Sequence, residues 1–496
     1  MPYMRLCLLA IIFVAINVPA AEFTGHAGET WKGSRDENGI YSFKGLPFAA
    51  APVGELRWRP PAPYQPTGGE KLAQKFAAAC MRADHIESWY RELIKKLDGD
   101  PNSFEGPNGS SEDCLYLNIW TPTMNQNAGL PVMIWIHAGS NKSGWSYEPD
   151  YRGSELAKEQ VVVISVAYRL GAFSMFALPE LISEQGGAAA NYGLLDLVAA
   201  LEFVKQHARA FGGNPKNVTL FGESAGAENI AALMSNPGAE ALFHKAIHQS
   251  GSALSKYELD DVMDYSERLA GARNIGELRA MSAHDFYNLQ SSEKNPELGF
   301  APFAGGHGLP ENNLYETLKS KPLLIGTNDH EWLMYLSPNA SLKDTARELG
   351  IDLTESQLRE KLPGLSDQHI VDRLVTARYM YCPSIKLADN VSTKHPVYFY
   401  LFERIRESDY GQRVGAYHGA EIPYIFNSHD TYLETNERDL RLSKVMISYW
   451  TNFARYGDPN DAELKDWPKY TQESQKVLKL GVQQTSVRAR DLWMCK

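Results

Sequence analysis

The pentapeptide Gly-Glu-Ser-Ala-Gly at 222–226 constrains the fold more than any other part of this 496-residue chain. It follows an apolar, strand-like run at 218–221 and precedes a stretch rich in small residues at 227–232. A sharp turn from strand to helix exposes a serine hydroxyl on a strained backbone, and the two glycines leave room for close approach of the chain. The pattern therefore predicts a nucleophile at Ser224, with a purely structural turn serine as the alternative.

Apolar runs and helical stretches alternate through the centre of the chain. The runs at 131–136, 161–167 and 218–221 are short and rich in β-branched or aromatic residues, which favours strands buried on both faces. Residues 192–210 carry apolar side chains at helical spacing. This β–α–β alternation predicts an α/β fold with a mostly parallel central sheet flanked by helices.

The first 21 residues have the composition of a secretory signal peptide. Arg5 precedes the apolar run 6–18, and small residues follow up to Ala21. The run is shorter than the ~20 apolar residues that span a bilayer, and the alternatives are an uncleaved anchor or a terminus that is apolar by chance. We therefore expect a secreted or periplasmic protein whose mature chain has no transmembrane segment.

Four cysteines lie beyond the predicted signal, and an even number in an exported protein favours disulfides. Three pairings are possible. Cys80 with Cys114 is the most economical, because it closes a short loop and stabilises the fold by about 3 kcal/mol in the chain-entropy model. Cys382 would then pair with Cys495, and the other two pairings stay open at this point.

Charge and composition argue against several classes of partner. Lys and Arg number 49 against 60 Asp and Glu, a net charge of −11, and no basic run is present, so nucleic acid is not an expected partner. The spacing of His and Cys residues predicts no metal site, and no glycine-rich phosphate loop follows a strand. We therefore expect no cofactor, and no pattern predicts an oligomeric state.

Two longer motifs are present, one that includes the serine pentapeptide and one about 100 residues before it. Residues 211–226 join Phe-Gly-Gly to the serine pentapeptide, and residues 112–120 read Glu-Asp-Cys-Leu-Tyr-Leu-Asn-Ile-Trp. Both resemble the signature motifs of the type-B carboxylesterase/lipase family, α/β-hydrolases that include carboxylesterases and cholinesterases. Further matching segments lie at 43–49, 191–196, 249–251, 449–454 and 457–460. The resemblance implies the α/β-hydrolase fold in a single catalytic domain spanning 22–496.

The resemblance also implies partners for the serine. A serine hydroxyl needs a histidine to accept its proton and a carboxylate to orient that histidine. The segment 326–331 is similar to the family's acid motif and implies Glu331, with Asp329 as the alternative acid. The segment 415–421 is similar to its histidine motif and implies His418 as the base, with His307 and His330 as alternatives. The order serine, acid, histidine is that of α/β-hydrolases.

Backbone amides must bind the negative oxygen that forms during ester cleavage. The residue after the nucleophile supplies one, which is Ala225 here. The family's His-Gly-Gly-Gly stretch reads His-Ala-Gly-Ser at 137–140, so Gly139 and Ser140 are the other expected donors. The side chain of Ser140 narrows the oxyanion hole, adds a hydroxyl donor, or changes nothing.

Two more residues near the expected triad have open roles. Trp332 stands where the family's acid motif usually continues with glycine. Core packing is favoured for it over an aromatic acyl pocket. Glu223, beside the nucleophile, either faces the site or holds a buried hydrogen-bond network.

These expectations combine into a serine hydrolase that cleaves the carboxylic ester bond of a small-molecule substrate through an acyl-enzyme. One alternative is a non-catalytic adhesion or recognition protein related to cholinesterases, and such relatives typically lack the nucleophile that Ser224 supplies here. A second is a triad hydrolase that cleaves thioester, lactone or amide bonds. The sequence does not predict the preferred acyl or alcohol group.

Overall fold

A computed structural model describes residues 21–25, 28–83, 85–252, 257–292, 300–311, 314–429 and 433–495. The predicted signal peptide, except Ala21, lies outside the described residues. Within them, no helix is both long and apolar enough to cross a bilayer.

The strands of the described residues are short, and most of the longer ones lie in the centre of the chain. They are β1 (Glu22–Thr24), β2 (Thr30–Lys32), β3 (Ser34–Arg35), β4 (Tyr41–Pro47), β5 (Glu70–Leu72), β6 (Ala79–Cys80), β7 (Ser110–Ser111), β8 (Tyr116–Thr121), β9 (Leu130–Ile136), β10 (Val162–Val166), β11 (Gly213–Glu223), β12 (Lys245–Gln249), β13 (Leu323–Asn328), β14 (Val397–Phe402), β15 (Lys476–Leu480) and β16 (Thr485–Arg488).

Helices connect these strands and cover both faces of the main sheet. In the described part of the chain they are α1 (His85–Lys96), α2 (Ser154–Lys158), α3 (Pro179–Glu184), α4 (Tyr192–His207), α5 (Ala225–Ser235), α6 (Leu259–Ala270), α7 (Ile275–Ala280), α8 (Ala283–Ser292), α9 (Leu314–Thr317), α10 (Leu342–Glu348), α11 (Glu355–Lys361), α12 (Asp367–Thr376), α13 (Cys382–Ser392), α14 (Asp409–Val414), α15 (Ile422–Phe426) and α16 (Glu437–Tyr456).

The main sheet, as far as the described residues show it, has eleven strands in the order β16-β15-β14-β13-β12-β11-β9-β10-β8-β4-β3. The run from β10 through β9 and β11 to β15 is parallel. The pairings of β8 with β10, β4 with β8, β3 with β4 and β16 with β15 are antiparallel. This confirms the predicted α/β fold, and the three predicted strands correspond to β9, β10 and β11.

Strand β9 shows why its sequence is apolar at every position. Val132, Ile134 and Ile136 face one hydrophobic core, whereas Met133 and Trp135 face the other, and all five are 0–1% exposed. A strand covered by helices on both sides cannot alternate apolar with polar residues. The parallel direction then brings the carboxyl ends of β9, β11 and β13 to one edge of the sheet, where α/β enzymes bind their ligands.

Several motif residues lie in buried ion pairs that hold the loops around the sheet. Glu112 accepts two hydrogen bonds from Arg57, each 2.6 Å long. Asp196 on α4 pairs with Arg169 at 2.7 Å. Removal of one partner of such a pair leaves an uncompensated buried charge, at a cost of several kcal/mol. The two motif segments therefore contribute to the stability of the fold.

Two disulfides complete the fold. Cys80, at the end of β6, is bonded to Cys114, and Cys382, at the start of α13, is bonded to Cys495. These are the two pairings that the loop-length argument favours. The second one ties the C-terminal segment to a helix that lines the cavity described below.

Candidate active site

Ser224 forms the turn between β11 and α5, with φ 54° and ψ −124°. This is a strained conformation for a residue with a Cβ. A Cβ on Gly222 would lie 2.7 Å from the carbonyl oxygen of Ile136, and a Cβ on Gly226 would lie 2.0 Å from the same atom. Both positions therefore require glycine, because β9 runs directly beneath the turn.

His418 and Glu331 are joined by a hydrogen bond. The Nδ1 atom of His418 lies 2.8 Å from Oε2 of Glu331. Glu331 is fully buried, and its Oε1 accepts a hydrogen bond of 2.7 Å from the backbone amide of Asn328. Because a carboxylate only accepts, Nδ1 carries a proton, so Nε2 is the nitrogen that can act as a base whenever the ring is neutral.

The alternative acid and bases lie in other contacts. Asp329 forms an ion pair with Arg373 at 3.1 Å. His330 accepts a hydrogen bond from a backbone amide through Nδ1, 3.3 Å away. His307 is hydrogen-bonded to the side chain of Gln185 at 2.9 Å. Each of these side chains therefore has a partner other than the side chains of Ser224, Glu331 and His418.

Ser224 and His418 line the same cavity. Within the described residues, no hydrogen bond joins the Ser224 hydroxyl to the imidazole. Instead, Nε2 of His418 lies 3.2 Å from Oε1 of Glu223. The structure thus brings the predicted acid and base into direct contact and places the predicted nucleophile on the same cavity wall. Catalytic hydrogen bonds of this kind often tighten only when substrate binds.

The two carboxylates beside the imidazole control its charge. Burial opposes protonation of His418, but Glu223 and Glu331 outweigh it and raise its pKa to about 10. Burial also raises the pKa of Glu223 well above its usual range, while the nearby imidazole lowers it. When His418 is protonated, the neighbouring carboxylate of Glu223 is therefore a buried counter-ion for the imidazolium.

The loop after β9 is held in a left-handed backbone conformation at three successive residues. Gly139 has φ 107°, and a Cβ there would lie 2.3 Å from the carbonyl oxygen of Ser143. Ser140 and Asn141 have φ 54° and 53°. The buried side chain of Asn141 accepts a hydrogen bond of 2.8 Å from Asn229 on α5, which fixes the loop to the helix that follows the nucleophile.

Three amides are free to bind an oxygen. Gly139, Ser140 and Ala225 all line the cavity. No hydrogen bond in the described part of the chain uses their N–H groups, and Ala225 is the first residue of α5, whose N–H has no intrahelical acceptor. The side chain of Ser140 is exposed at the cavity wall.

The cavity has a volume of about 1290 Å³ and opens to solvent. Its wall includes the buried acidic residues Glu148 and Glu223, the partly buried Glu228, and the aromatic residues Trp89 and Trp332. Burial raises the pKa of Glu148 to about 7. The volume is above the usual range for sites that bind drug-sized ligands. In the described residues, no group of three His, Cys, Asp or Glu side chains is arranged to hold a metal ion.

Trp332 corrects one expectation from the sequence. Instead of packing in the core, it is only partly buried and lines the cavity. Its ring lies nearly parallel to the His418 imidazole, with ring centroids 6.5 Å apart and planes inclined by 10°. The loop after Glu331 turns its next side chain outward, a direction that residue type alone does not reveal.

Sequence reasoning missed a buried network behind the site. Asn328 donates hydrogen bonds to Glu421, 2.7 Å away, and Gln249 donates to the same carboxylate at 3.1 Å. Trp450 donates to Gln249 at 3.0 Å. All four residues lie in segments that resemble the family. The sequence therefore marked these segments, but it did not indicate what their polar side chains do.

The comparison with protein families places the chain among esterases. The model of the Carboxylesterase family matches residues 16–372 and 364–492. The chain is 32% identical over 472 residues to the para-nitrobenzyl esterase of Bacillus subtilis (strain 168), covering 89% of this chain and 91% of that protein. It is 31% identical over 497 residues to the cocaine esterase of Homo sapiens, covering 91% and 85%. It is also 32% identical over 478 residues to the fumonisin B1 esterase of Sphingopyxis macrogoltabida, covering 90% and 84%.

Solved structures show the same architecture. A carboxylesterase of Geobacillus stearothermophilus superposes with a TM-score of 0.81 at 28% identity, covering 96% of this chain and 99% of that chain. A thermophilic pNB esterase superposes with a TM-score of 0.80 at 28% identity, covering 94% and 97%.

Proposed function

The chain belongs to the carboxylesterase family and is a serine hydrolase of carboxylic esters, and we propose that Ser224 is its nucleophile, His418 its general base and Glu331 the acid that orients the base. The 2.8 Å contact between His418 and Glu331, in a cavity that also contains the Ser224 turn, carries this assignment. An acid and a histidine that meet beside a strained serine have the arrangement that activates a hydroxyl for attack.

The proposed reaction has two halves. The Ser224 oxygen attacks the ester carbonyl carbon while Nε2 of His418 takes the hydroxyl proton, and the resulting imidazolium donates that proton to the leaving alcohol oxygen. The acyl group remains on Ser224. A water molecule then gives a proton to His418 and attacks the acyl carbon. The bond between that carbon and the Ser224 oxygen breaks, His418 returns the proton to the Ser224 oxygen, and the carboxylic acid leaves.

Charge develops at two places in this sequence. The carbonyl oxygen becomes negative, and we assign its binding to the amides of Gly139, Ser140 and Ala225. Such donors contribute most in a cavity that excludes water. The imidazole becomes positive, and the buried carboxylates of Glu331 and Glu223 face its two nitrogens.

The substrate we propose is a small-molecule carboxylic ester. The cavity volume favours a bulky one. The names of the relatives para-nitrobenzyl esterase and cocaine esterase are consistent with such esters. The adhesion-protein alternative is not favoured, because the relatives are named as esterases and all three triad positions are filled.

We also propose that residues 1–21 are a signal peptide, that the protein acts in a secreted or periplasmic location, and that residues 22–496 fold as one catalytic domain. The Cys80–Cys114 and Cys382–Cys495 disulfides support an oxidising compartment.

A fluorophosphonate probe tests the nucleophile directly, because it phosphonylates only an activated serine. Peptide mapping of the labelled wild-type protein should find the adduct on Ser224, and prior heating should abolish labelling. Hydrolysis of 4-nitrophenyl esters of increasing acyl length should be lost in parallel. A folded protein that hydrolyses these esters while its adduct maps to another serine would contradict the assignment.

Ser140→Gly and Ser140→Ala test whether position 140 acts through its amide or its hydroxyl. We expect kcat of both variants within about threefold of wild type, because each keeps the N–H group and the Ser140 side chain is exposed. A hydroxyl that binds the oxyanion would instead make both variants about 10²–10³-fold slower. Turnover of 4-nitrophenyl acetate distinguishes the two outcomes.

Glu223→Gln should move the acidic limb of the pH profile of kcat/KM. His418 must be neutral to act as a base, so the rate rises as pH increases through its pKa. Glu223 raises that pKa, and its neutralisation should shift the limb to lower pH by about one unit or more. Asp389→Asn is the control, since Asp389 also lines the cavity but is hydrogen-bonded to Tyr470. An unchanged limb in Glu223→Gln would show that Glu223 is uncharged in the working enzyme.

A further inference from the structure

Three aromatic side chains, Trp332, Tyr335 and Tyr379, form a continuous surface that begins at the imidazole of His418. We call this surface the aromatic wall. The ring of Trp332 lies 6.5 Å from that of His418, 5.9 Å from that of Tyr335 and 5.8 Å from that of Tyr379, centroid to centroid. The aromatic wall thus leads from the base toward solvent along one side of the cavity.

The outer part of the aromatic wall is unusually exposed. Tyr335 is 45% and Tyr379 is 47% exposed, and both are large side chains that line the cavity. Burial of such apolar surface by a ligand favours binding through the hydrophobic effect. The rings already pack against Trp332 at tilted angles of 66° and 58°, so a ligand would meet a preorganised surface.

The backbone fixes the aromatic wall to the same elements as the catalytic acid. Trp332 directly follows Glu331, and its amide donates a hydrogen bond of 2.9 Å to the buried Asp372 on α12. Tyr379 lies in a π-helical turn, Ala377–Tyr381, between α12 and α13. Turns of this kind occur frequently at functional sites, because the extra residue redirects side chains. Helix α12 and the turn that follows it therefore position both ends of the Trp332–Tyr379 contact.

The chemistry of the reaction decides which half of the ester meets the aromatic wall. His418 must hand a proton to the leaving alcohol oxygen, so that oxygen lies on the imidazole side of the reacting carbon. The carbonyl oxygen points toward the amides of Gly139, Ser140 and Ala225. The group attached to the leaving oxygen therefore passes next to Trp332.

We propose that the aromatic wall binds the alcohol portion of the substrate and selects esters of aromatic alcohols. The inference rests on the roles proposed above for Ser224 and His418. It differs from the acyl-pocket alternative raised for Trp332 by sequence, because an acyl group stays on the serine after the alcohol has left.

Two substrate series separate these alternatives. The first keeps acetate and changes the alcohol from ethyl to benzyl to 2-naphthylmethyl, and the second keeps ethyl and changes the acid from acetic to phenylacetic to 2-naphthylacetic. In Trp332→Gly, kcat/KM for benzyl acetate relative to ethyl acetate should fall about tenfold, and the ratios within the acid series should stay within twofold. In Trp332→Phe this ratio should fall less, because phenylalanine keeps an aromatic ring.

Tyr379→Ala tests the outer part of the aromatic wall without touching the residue next to Glu331. The decrease in kcat/KM of this variant should be greatest for 2-naphthylmethyl acetate, at about threefold or more relative to ethyl acetate. Tyr456→Ala is the matched control. Tyr456 is 71% exposed at the end of α16, away from the residues that line the cavity, and its removal should leave both series unchanged.

The rate of deacylation distinguishes binding of the alcohol from a general structural effect of the substitution, because only structural damage would change that rate. Acetyl-enzyme formed from 4-nitrophenyl acetate has already lost its alcohol, so its hydrolysis in Trp332→Gly should proceed at the wild-type rate. Slower deacylation, an equal loss on every ester, or a change that follows the acid series would each overturn the inference.

The inference and the proposed function fail in different ways. If Ser224→Ala retains hydrolysis of ethyl acetate, the catalytic assignment is wrong whatever the substrate preferences are. If Ser224→Ala is inactive and the benzyl-to-ethyl ratio is the same in wild type and Trp332→Gly, only the aromatic wall loses its role.

Discussion

Replacement of Ser224 by alanine is expected to lower kcat for ester hydrolysis by about six orders of magnitude. The substitution removes the only atom in the proposed mechanism that forms a bond to the acyl group, so the acyl-enzyme route closes. The methyl group of alanine fits the strained turn as the serine does, since both side chains share the same Cβ. The fold should therefore survive while the chemistry is lost.

The same loss should follow from His418→Ala, and the double variant should be no slower than either single one. Ser224 and His418 act together, so loss of either residue stops the same step, and the rate losses of the two substitutions do not add. About 10³-fold acceleration over water should remain, because the oxyanion amides and the cavity still bind the substrate. Additive losses in the double variant would contradict a shared role.

Ser250→Ala is a matched control for the serine variant. Ser250 follows β12 as Ser224 follows β11, its φ of 48° is also in the left-handed region, and it is fully buried. Its hydroxyl has no hydrogen-bond partner among the described residues, so its removal should cost little stability. Activity within about threefold of wild type is expected. Near-ultraviolet circular dichroism of all variants checks that folding is preserved.

The turn around Ser224 could be predicted from sequence because its constraints are local. A strand, two glycines and a helix start within a few residues specify the geometry, and the clash distances at Gly222 and Gly226 show why. The parallel sheet was predictable for a related reason, since strands covered on both faces need apolar residues throughout. The resemblance to a family then supplied Glu331 and His418, which lie far from Ser224 in the chain.

Contacts between distant segments were not predictable from the residues alone. Glu223 could have faced either the site or a buried network, and its position 3.2 Å from His418 depends on the path of the segment between α14 and α15. Tyr379 reaches the cavity because a π-helical turn interrupts the helical run around it, and no composition signal marks that turn. The exposure of Trp332 likewise follows from the path of a loop rather than from residue type.

Glu331→Gln should lower kcat by about 10⁴-fold while leaving the side-chain volume unchanged. Both oxygens of Glu331 accept hydrogen bonds, one from the backbone amide of Asn328 at 2.7 Å and one from Nδ1 of His418 at 2.8 Å. A glutamine has one accepting oxygen and one donating nitrogen, so it cannot serve both partners. The backbone N–H of Asn328 is fixed, whereas an imidazole can move its proton from one nitrogen to the other.

The glutamine oxygen is therefore expected to bind the Asn328 amide, and its NH₂ group to donate to Nδ1 of His418. That arrangement places the imidazole proton on Nε2, where the ring can no longer accept the proton of Ser224. Nitrogen NMR of labelled histidine should detect the change of tautomer together with the loss of rate. Asp329→Asn is the matched control, because Asp329 pairs with Arg373 and Arg490 and should affect stability while kcat stays within about tenfold. A full loss of activity in Asp329→Asn, with Glu331→Gln active, would reverse the assignment of the acid.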